Sequence, residues 1–235
     1  MIDKRPYAKL GGANHGWLNA KHHFSFASYY DPAKMGWGSI RVWNDDEIAP
    51  QSGFPTHPHD NMEIITYVRE GAITHQDSLG NKGRTEAGDV QVMSAGTGIR
   101  HSEYNVDDVK TTLFQIWVLP SERGHAPSWG AKPFPKSDRS GKLVPLASGF
   151  DGDGEALKIH TPARLLGATL LKDQAETYVP VETGATRHLY LVVAKGKVVV
   201  NGVELDTRDG AAIKDEAELT ITALEDAEVV LLDAA

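Results

Sequence analysis

Two triplets, His57-Pro58-His59 and His101-Ser102-Glu103, place residues able to bind a metal two positions apart. In an extended strand, positions i and i+2 project from the same face. If the two strands share one inner surface, three imidazoles and a carboxylate converge. Such a set suits iron, nickel, copper or zinc and is too rich in nitrogen for calcium or magnesium. A single His-x-His pair reads as surface histidines. Two triplets, each flanked by strand and glycine signals, read as a site. Glu63 is a rival carboxylate. Along a straight strand it lies about 13 Å from His59, so it needs a bulge at Asp60-Asn61, whereas Glu103 needs no distortion. The other histidines read as structural. His22 and His23 lie beside Phe24 and Phe26, His75 reads as a satisfied loop residue, and His125, His160 and His188 have no partner at ligand spacing. Met62, Met93, Phe54 and Trp43 read as core or as the wall of an aromatic pocket.

Strands must position the two triplets, and the rest of the chain is written for strands. Ser39–Trp43, Glu63–Val68, Val90–Met93 and Thr112–Leu119 are short alternating or apolar runs bounded by Gly, Pro, Asn and Asp. Further runs follow at Arg187–Val193, Lys197–Val200, Val203–Leu205, Glu218–Thr222 and Glu228–Leu232. Asn201-Gly202 between two of them signals a type I′ hairpin. No stretch keeps an apolar helical face for more than about three turns, so helices are expected to be few and short. The 23 glycines and 12 prolines among 235 residues agree with an all-β chain.

The absence of cysteine excludes disulfides, thiolate metal sites and a cysteine nucleophile. A net charge of −8 argues against binding a phosphate backbone, so no direct nucleic-acid partner is expected. The first residues lack the apolar segment of a signal peptide, and the longest apolar run, Leu189–Ala194, cannot span a bilayer. The expectation is a cytoplasmic protein without membrane contact.

The chain reads as a diverged tandem repeat. Glu63–Gly71 parallels His188–Gly196, and Gly88–Met93 parallels Gly210–Asp215. The Pro- and Gly-rich stretch 132–153 reads as the connection. The expected domains are 1–131, bearing the metal site, and 132–235, a degenerate copy. Carrying the repeat offsets onto the triplets assigns Glu182, Gly184, Ala223 and Glu225 as the counterparts of His57, His59, His101 and Glu103. None is a histidine, so the second copy is expected to bind no metal.

Gly53-Phe-Pro-Thr-His57-Pro-His59-Asp-Asn-Met-Glu63 resembles the first cupin motif, and Gly88 through Gly96 to His101 and Asn105 the second. Ser94 stands where a proline is usual, and four residues rather than two separate Gly96 from His101. Both departures are pirin-like. So are His23-Phe-Ser-Phe-Ala-Ser-Tyr-Tyr-Asp31-Pro32 and Gly96-Thr-Gly-Ile-Arg-His-Ser-Glu-Tyr104, and the motif-bearing match covers about residues 14–120. The resemblance implies an all-β fold of two tandem antiparallel cupin, jelly-roll-like β-barrels. It implies one divalent metal in the first barrel, held by His57, His59, His101 and Glu103. Iron is expected first, with nickel, copper, manganese or zinc as alternatives. Bacterial members resembling this chain include quercetin 2,3-dioxygenases. The implied activity is therefore oxidoreductase cleavage of a flavonol with O2 and release of CO, with Glu103 as catalytic base. The small-molecule partners are a flavonol and O2, and the expected state is a monomer. The alternative implied by other pirins is a non-enzymatic, metal-dependent redox sensor or regulator acting through a protein partner.

Overall fold

The computed structural model describes all 235 residues and contains no α-helix, only three short 3-10 turns. In chain order the strands are β1 (Ile2–Arg5), β2 (Gly11–Asn14), β3 (Leu18–His22), β4 (Ile40–Ile48), β5 (Ser52–His59), β6 (Glu63–Glu70), β7 (Ala72–Asp77) and β8 (Lys82–Glu86). They continue as β9 (Val90–Ser94), β10 (Ile99–Asn105), β11 (Thr111–Val118), β12 (Ser128–Lys132), β13 (Val144–Ser148), β14 (Leu157–Lys158) and β15 (Arg164–Leu170). The last are β16 (Ala175–Tyr178), β17 (His188–Lys195), β18 (Val198–Val200), β19 (Val203–Leu205), β20 (Gly210–Lys214), β21 (Leu219–Ala223) and β22 (Ala227–Ala234). No helix is long and apolar enough to cross a membrane.

Two compact units form. The N-terminal unit comprises Gly11–Phe134 with Leu157–Thr161, and the C-terminal unit comprises Met1–Leu10, Pro135–Ala156 and Pro162–Ala235. They are not the contiguous segments 1–131 and 132–235. β1 pairs antiparallel with β20, from Ile2 opposite Ile213 to Arg5 opposite Gly210, and this carries the first residues into the C-terminal unit.

The N-terminal unit has a seven-stranded sheet ordered β12-β9-β6-β11-β4-β3-β2 and a four-stranded sheet ordered β5-β10-β7-β8. The C-terminal unit repeats this plan, with one sheet ordered β1-β20-β17-β22-β15-β13 and a four-stranded one ordered β16-β21-β18-β19. Each unit is a jelly-roll pair of open sheets rather than a closed barrel. The apolar faces of the two sheets meet. In the C-terminal unit Leu189, Leu191 and Val229 from one sheet share a buried cluster with Val198, Val200 and Ile221 from the other. Burying each such side chain contributes about 1.5–3 kcal/mol.

Residue choice fixes the small sheet that carries both triplets. Along β10, Ile99, His101, Glu103 and Asn105 are buried while Arg100 and Tyr104 are exposed, the period-two pattern of a half-buried strand. β5 carries Pro55 and Pro58, which cannot donate to a ladder, and it lies at the sheet edge where this is tolerated. His57 sits opposite His101 and Phe54 opposite Glu103, so the register shifts by a bulge across Pro55-Thr56. Gly53 permits the pairing. A Cβ there would lie 2.2 Å from the Glu103 carbonyl oxygen.

The strand registers correct the repeat assignments. Gly88 donates its N–H to Val68, and Arg208 does the same to Val193, so Arg208 rather than Gly210 is the counterpart of Gly88. Glu103 pairs with His75 on β7, and Ile221 pairs with Val200 on β18. Ile221 therefore replaces Glu103, Val200 replaces His75, and Leu219 replaces His101. Opposite Leu219 stands Tyr178, where the N-terminal unit has His57. The expected Glu182, Gly184, Ala223 and Glu225 are not the equivalent positions, because in the second copy the connection before β17 is longer and two later connections are shorter. The true counterparts Tyr178, Val200, Leu219 and Ile221 all belong to the C-terminal core.

Candidate metal centre

β5 and β10 bring His57, His59 and His101 together, with one ligand nitrogen from each lying within 4.8 Å of the others. His57 Nδ1 donates to the Pro55 carbonyl at 2.7 Å, which leaves its Nε2 as a lone pair. That Nε2 lies 3.1 Å from Nε2 of His101. The rings of His57 and His59 meet edge to face at 4.8 Å, and those of His59 and His101 at 5.0 Å. Three converging imidazoles, one of them held by its outward nitrogen to a backbone carbonyl, fit a borderline transition metal.

The electrostatics favour neutral rings. Burial, then the neighbouring His57 and His75, lower His101 to about 3. Burial, then His101 and His57, lower His59 to about 4. Uncharged imidazole is the form that binds metal.

Glu103 shares the inward face of β10 with His101 but lies outside that three-histidine cluster. Its Oε1 accepts from Gln91 Nε2 at 2.8 Å and Thr66 Oγ1 at 3.1 Å, and its Oε2 from Gln115 Nε2 at 2.6 Å. Oε2 thus keeps a lone pair free. Glu63 is turned elsewhere. Its Oε2 accepts from Ser94 Oγ at 2.6 Å, and its Oε1 faces His160 Nδ1 at 3.5 Å. His160 in turn stacks on His125 at 4.2 Å, a pairing that ligand spacing could not reveal.

Aromatic rings border the cluster. His59 meets Trp117 edge-on at 5.0 Å, Trp117 meets Phe26 at 5.5 Å, and Phe54 lies 6.4 Å from His57. A cavity of about 440 Å³ opens beside His59, lined also by Asp60, Thr97, Gly98 and Arg100. Trp43 and Met93 are buried core, whereas Phe54 and Met62 are only partly buried. His22 is buried and bonded to Asn44 at 2.8 Å.

His75 is not a loop residue. It is wholly buried on β7, stacked on Trp129 at 4.7 Å, with Nε2 2.9 Å from Asp77 Oδ2 and Nδ1 3.5 Å from Nδ1 of His101. Burial pushes the Asp77 carboxyl up, but hydrogen bonds from His75, Asn81 and Leu79 outweigh this and hold it below the usual carboxylate range. Sequence reading also missed Gln91 and Gln115. The available signal was an amide in the middle of an apolar run, Val90-Gln91-Val92 and Phe114-Gln115-Ile116, since a buried amide demands a partner.

A family model described as Pirin matches residues 4–118, and one described as Quercetinase C-terminal cupin domain matches residues 146–234. A pirin-like protein of Caulobacter vibrioides is 69% identical over 235 residues, covering all of both chains. A quercetin 2,3-dioxygenase of Escherichia coli is 46% identical over 234 residues, covering 99% of this chain and 98% of the other. The crystal structure of the bacterial pirin YhhW from Escherichia coli in complex with nickel(II) superposes with a TM-score of 0.92 at 45% identity, covering 100% of this chain and 99% of that one.

Proposed function

The chain belongs to the pirin family, and from that premise we propose that it is a metal-dependent dioxygenase. The reaction is opening of the heterocyclic ring of a flavonol such as quercetin, consuming O2 and releasing CO. The observation that carries this reading is the convergence of His57, His59 and His101 beside the rings of Trp117 and Phe54. A nickel(II) complex of Escherichia coli pirin and the dioxygenase name carried by an Escherichia coli relative support it.

His57, His59 and His101 would hold one divalent transition metal, iron first by family resemblance, with Glu103 as the fourth ligand. When bound, such a metal acidifies a coordinated hydroxyl and leaves open positions for reactants. The protein's residues do the rest. Glu103 Oε2, with its spare lone pair, accepts the proton of the substrate 3-hydroxyl. Gln91 and Thr66 anchor Oε1 so that the accepting oxygen stays aimed while the proton arrives. Trp117, Phe54 and Phe26 offer apolar faces to a planar ring and keep water from the reacting edge.

The test is anaerobic loading with Fe(II), then O2 uptake and CO release measured with a panel of flavonols. Equimolar O2 consumption and CO release is the expected result. A fully loaded protein that consumes no O2 with any flavonol sinks the proposal and favours a regulatory pirin.

A further inference from the structure

Behind the cluster lies a buried row of side chains that the proposed reaction does not use. Asp77 Oδ1 accepts from the backbone N–H groups of Leu79 at 2.9 Å and Asn81 at 3.1 Å. Its Oδ2 accepts from Asn81 Nδ2 at 3.0 Å and faces His75 Nε2 at 2.9 Å. A carboxylate so placed only accepts, so the proton of neutral His75 belongs on Nε2, and His75 Nδ1 is a lone pair. That lone pair faces Nδ1 of His101 at 3.5 Å. His101 can satisfy it only by carrying its own proton on Nδ1. Its Nε2 is then unprotonated and directed at Nε2 of His57, itself a lone pair because His57 Nδ1 donates to Pro55. Two lone pairs 3.1 Å apart repel unless a cation lies between them.

We propose that Asp77 and His75 form a positioning chain that accepts the Nδ1 proton of His101 and thereby presents its Nε2 lone pair to the metal. The inference rests on the metal-centre reading and extends it inward to β7. The packing suits the role. Trp129 lies flat on His75, with 9° between the rings, and Gly83 lets it approach, since a Cβ there would lie 2.2 Å from the indole. The His75 ring is therefore fixed in plane as well as in protonation.

Three variants and two readouts test this. Asp77→Asn keeps its oxygen on the turn N–H groups and turns an NH2 toward His75, which reverses every donor in the row. His75→Phe keeps the stack on Trp129 but removes both nitrogens. His75→Gln keeps a donor for Asp77 and an acceptor for His101. Competition titration with Ni(II) should show Asp77→Asn and His75→Phe weakened by about 10- to 100-fold, the usual cost of losing an outer partner. His75→Gln should stay within about threefold of the parent. Nitrogen NMR of the metal-free protein should place the His75 proton on Nε2 in the parent and on Nδ1 in Asp77→Asn. Equal Ni(II) affinity in His75→Phe and His75→Gln, or a parent His75 protonated on Nδ1, overturns the inference. Should Asp77→Asn fail to fold, the Phe and Gln pair still decides. A parent chain that takes up no Ni(II) would instead defeat the metal-centre reading, while the His75 proton position would still test this one.

Discussion

The side chains of the N-terminal unit divide the labour between holding a cation and holding each other. Glu103 and Glu63 are both buried carboxylates, yet one is fixed by two amides and a threonine and the other by Ser94 and His160. On metal-loaded protein, Glu103→Gln should lower flavonol turnover by about 10²- to 10⁴-fold, the cost of losing an acid–base group. Glu63→Gln should cost about 10- to 100-fold, by loosening the surroundings. Initial rates at equal metal content check both, and the reverse order would assign the chemistry to Glu63. Acid should act on the metal-free fold through the same histidines. The folded state holds His101 at about 3 and His59 at about 4, against 6.5 when exposed. The unfolded chain therefore binds more protons between pH 6.5 and those values. Stability is complete above pH 6.5 and falls as pH drops through that window. His101 contributes up to about 1.4 kcal/mol per pH unit, and partly exposed His59 less. Urea unfolding of the metal-free protein at pH 7 and pH 5 measures the slope, and His101→Phe should flatten it.

Among the elements, the edge strand β5 carries the greatest constraint. It must bear two prolines, a bulge and two histidines while lying close against β10. Gly53→Ala would drive a methyl group into the Glu103 carbonyl. The expected result is a loss of about 1–3 kcal/mol from overpacking, with weakened Ni(II) binding because β10 carries both His101 and Glu103. Thermal melts with and without Ni(II) would show a smaller metal-induced rise than in the parent. The triplets were legible in the sequence because a period of two is written directly into His57-Pro-His59 and His101-Ser-Glu103. The strong apolar runs and the Asn201-Gly202 turn were legible too; φ of +44° and +85° at those two residues is the turn expected. β7 was not, because Thr74-His75-Gln76 is polar and its burial comes from Trp129 on a strand more than fifty residues away. Nor was the register of the second copy. Pairing is decided by hydrogen bonds across strands, and aligning Gly88 with Gly210 followed a residue type where the conformation is kept by Arg208, at φ +71°.

Over the whole molecule, one plan is used twice and filled differently. Strand register sets Asp233 of β22 where β11 has Trp117. Trp117 borders His59, whereas Asp233 is fully buried and accepts from Tyr178 Oη at 2.6 Å, Val181 N at 3.0 Å and Arg187 Nε at 2.7 Å. The interior that admits a cation in one copy is closed by an ion-paired cluster in the other. One metal per chain is therefore expected. Elemental analysis giving two, the second surviving His101→Ala, would overturn this. Asp233→Ala should destabilise the protein by about 3–5 kcal/mol through the unpaired Arg187 charge, read by chemical denaturation, with Ni(II) affinity of the folded protein unchanged. The plan also has a temporal side. β1 forms the outer edge of the C-terminal sheet, yet it leaves the ribosome far ahead of its partner, since Ile2 pairs with Ile213. At ordinary rates of synthesis it waits roughly 10–40 s, while the whole N-terminal unit emerges and can close around its site. Until β1 docks, the open ladder of β20 is a template for any passing strand. β1 is thus made early and docked late, and its docking hands the sheet edge to a strand with three charged residues in four, which resists further pairing.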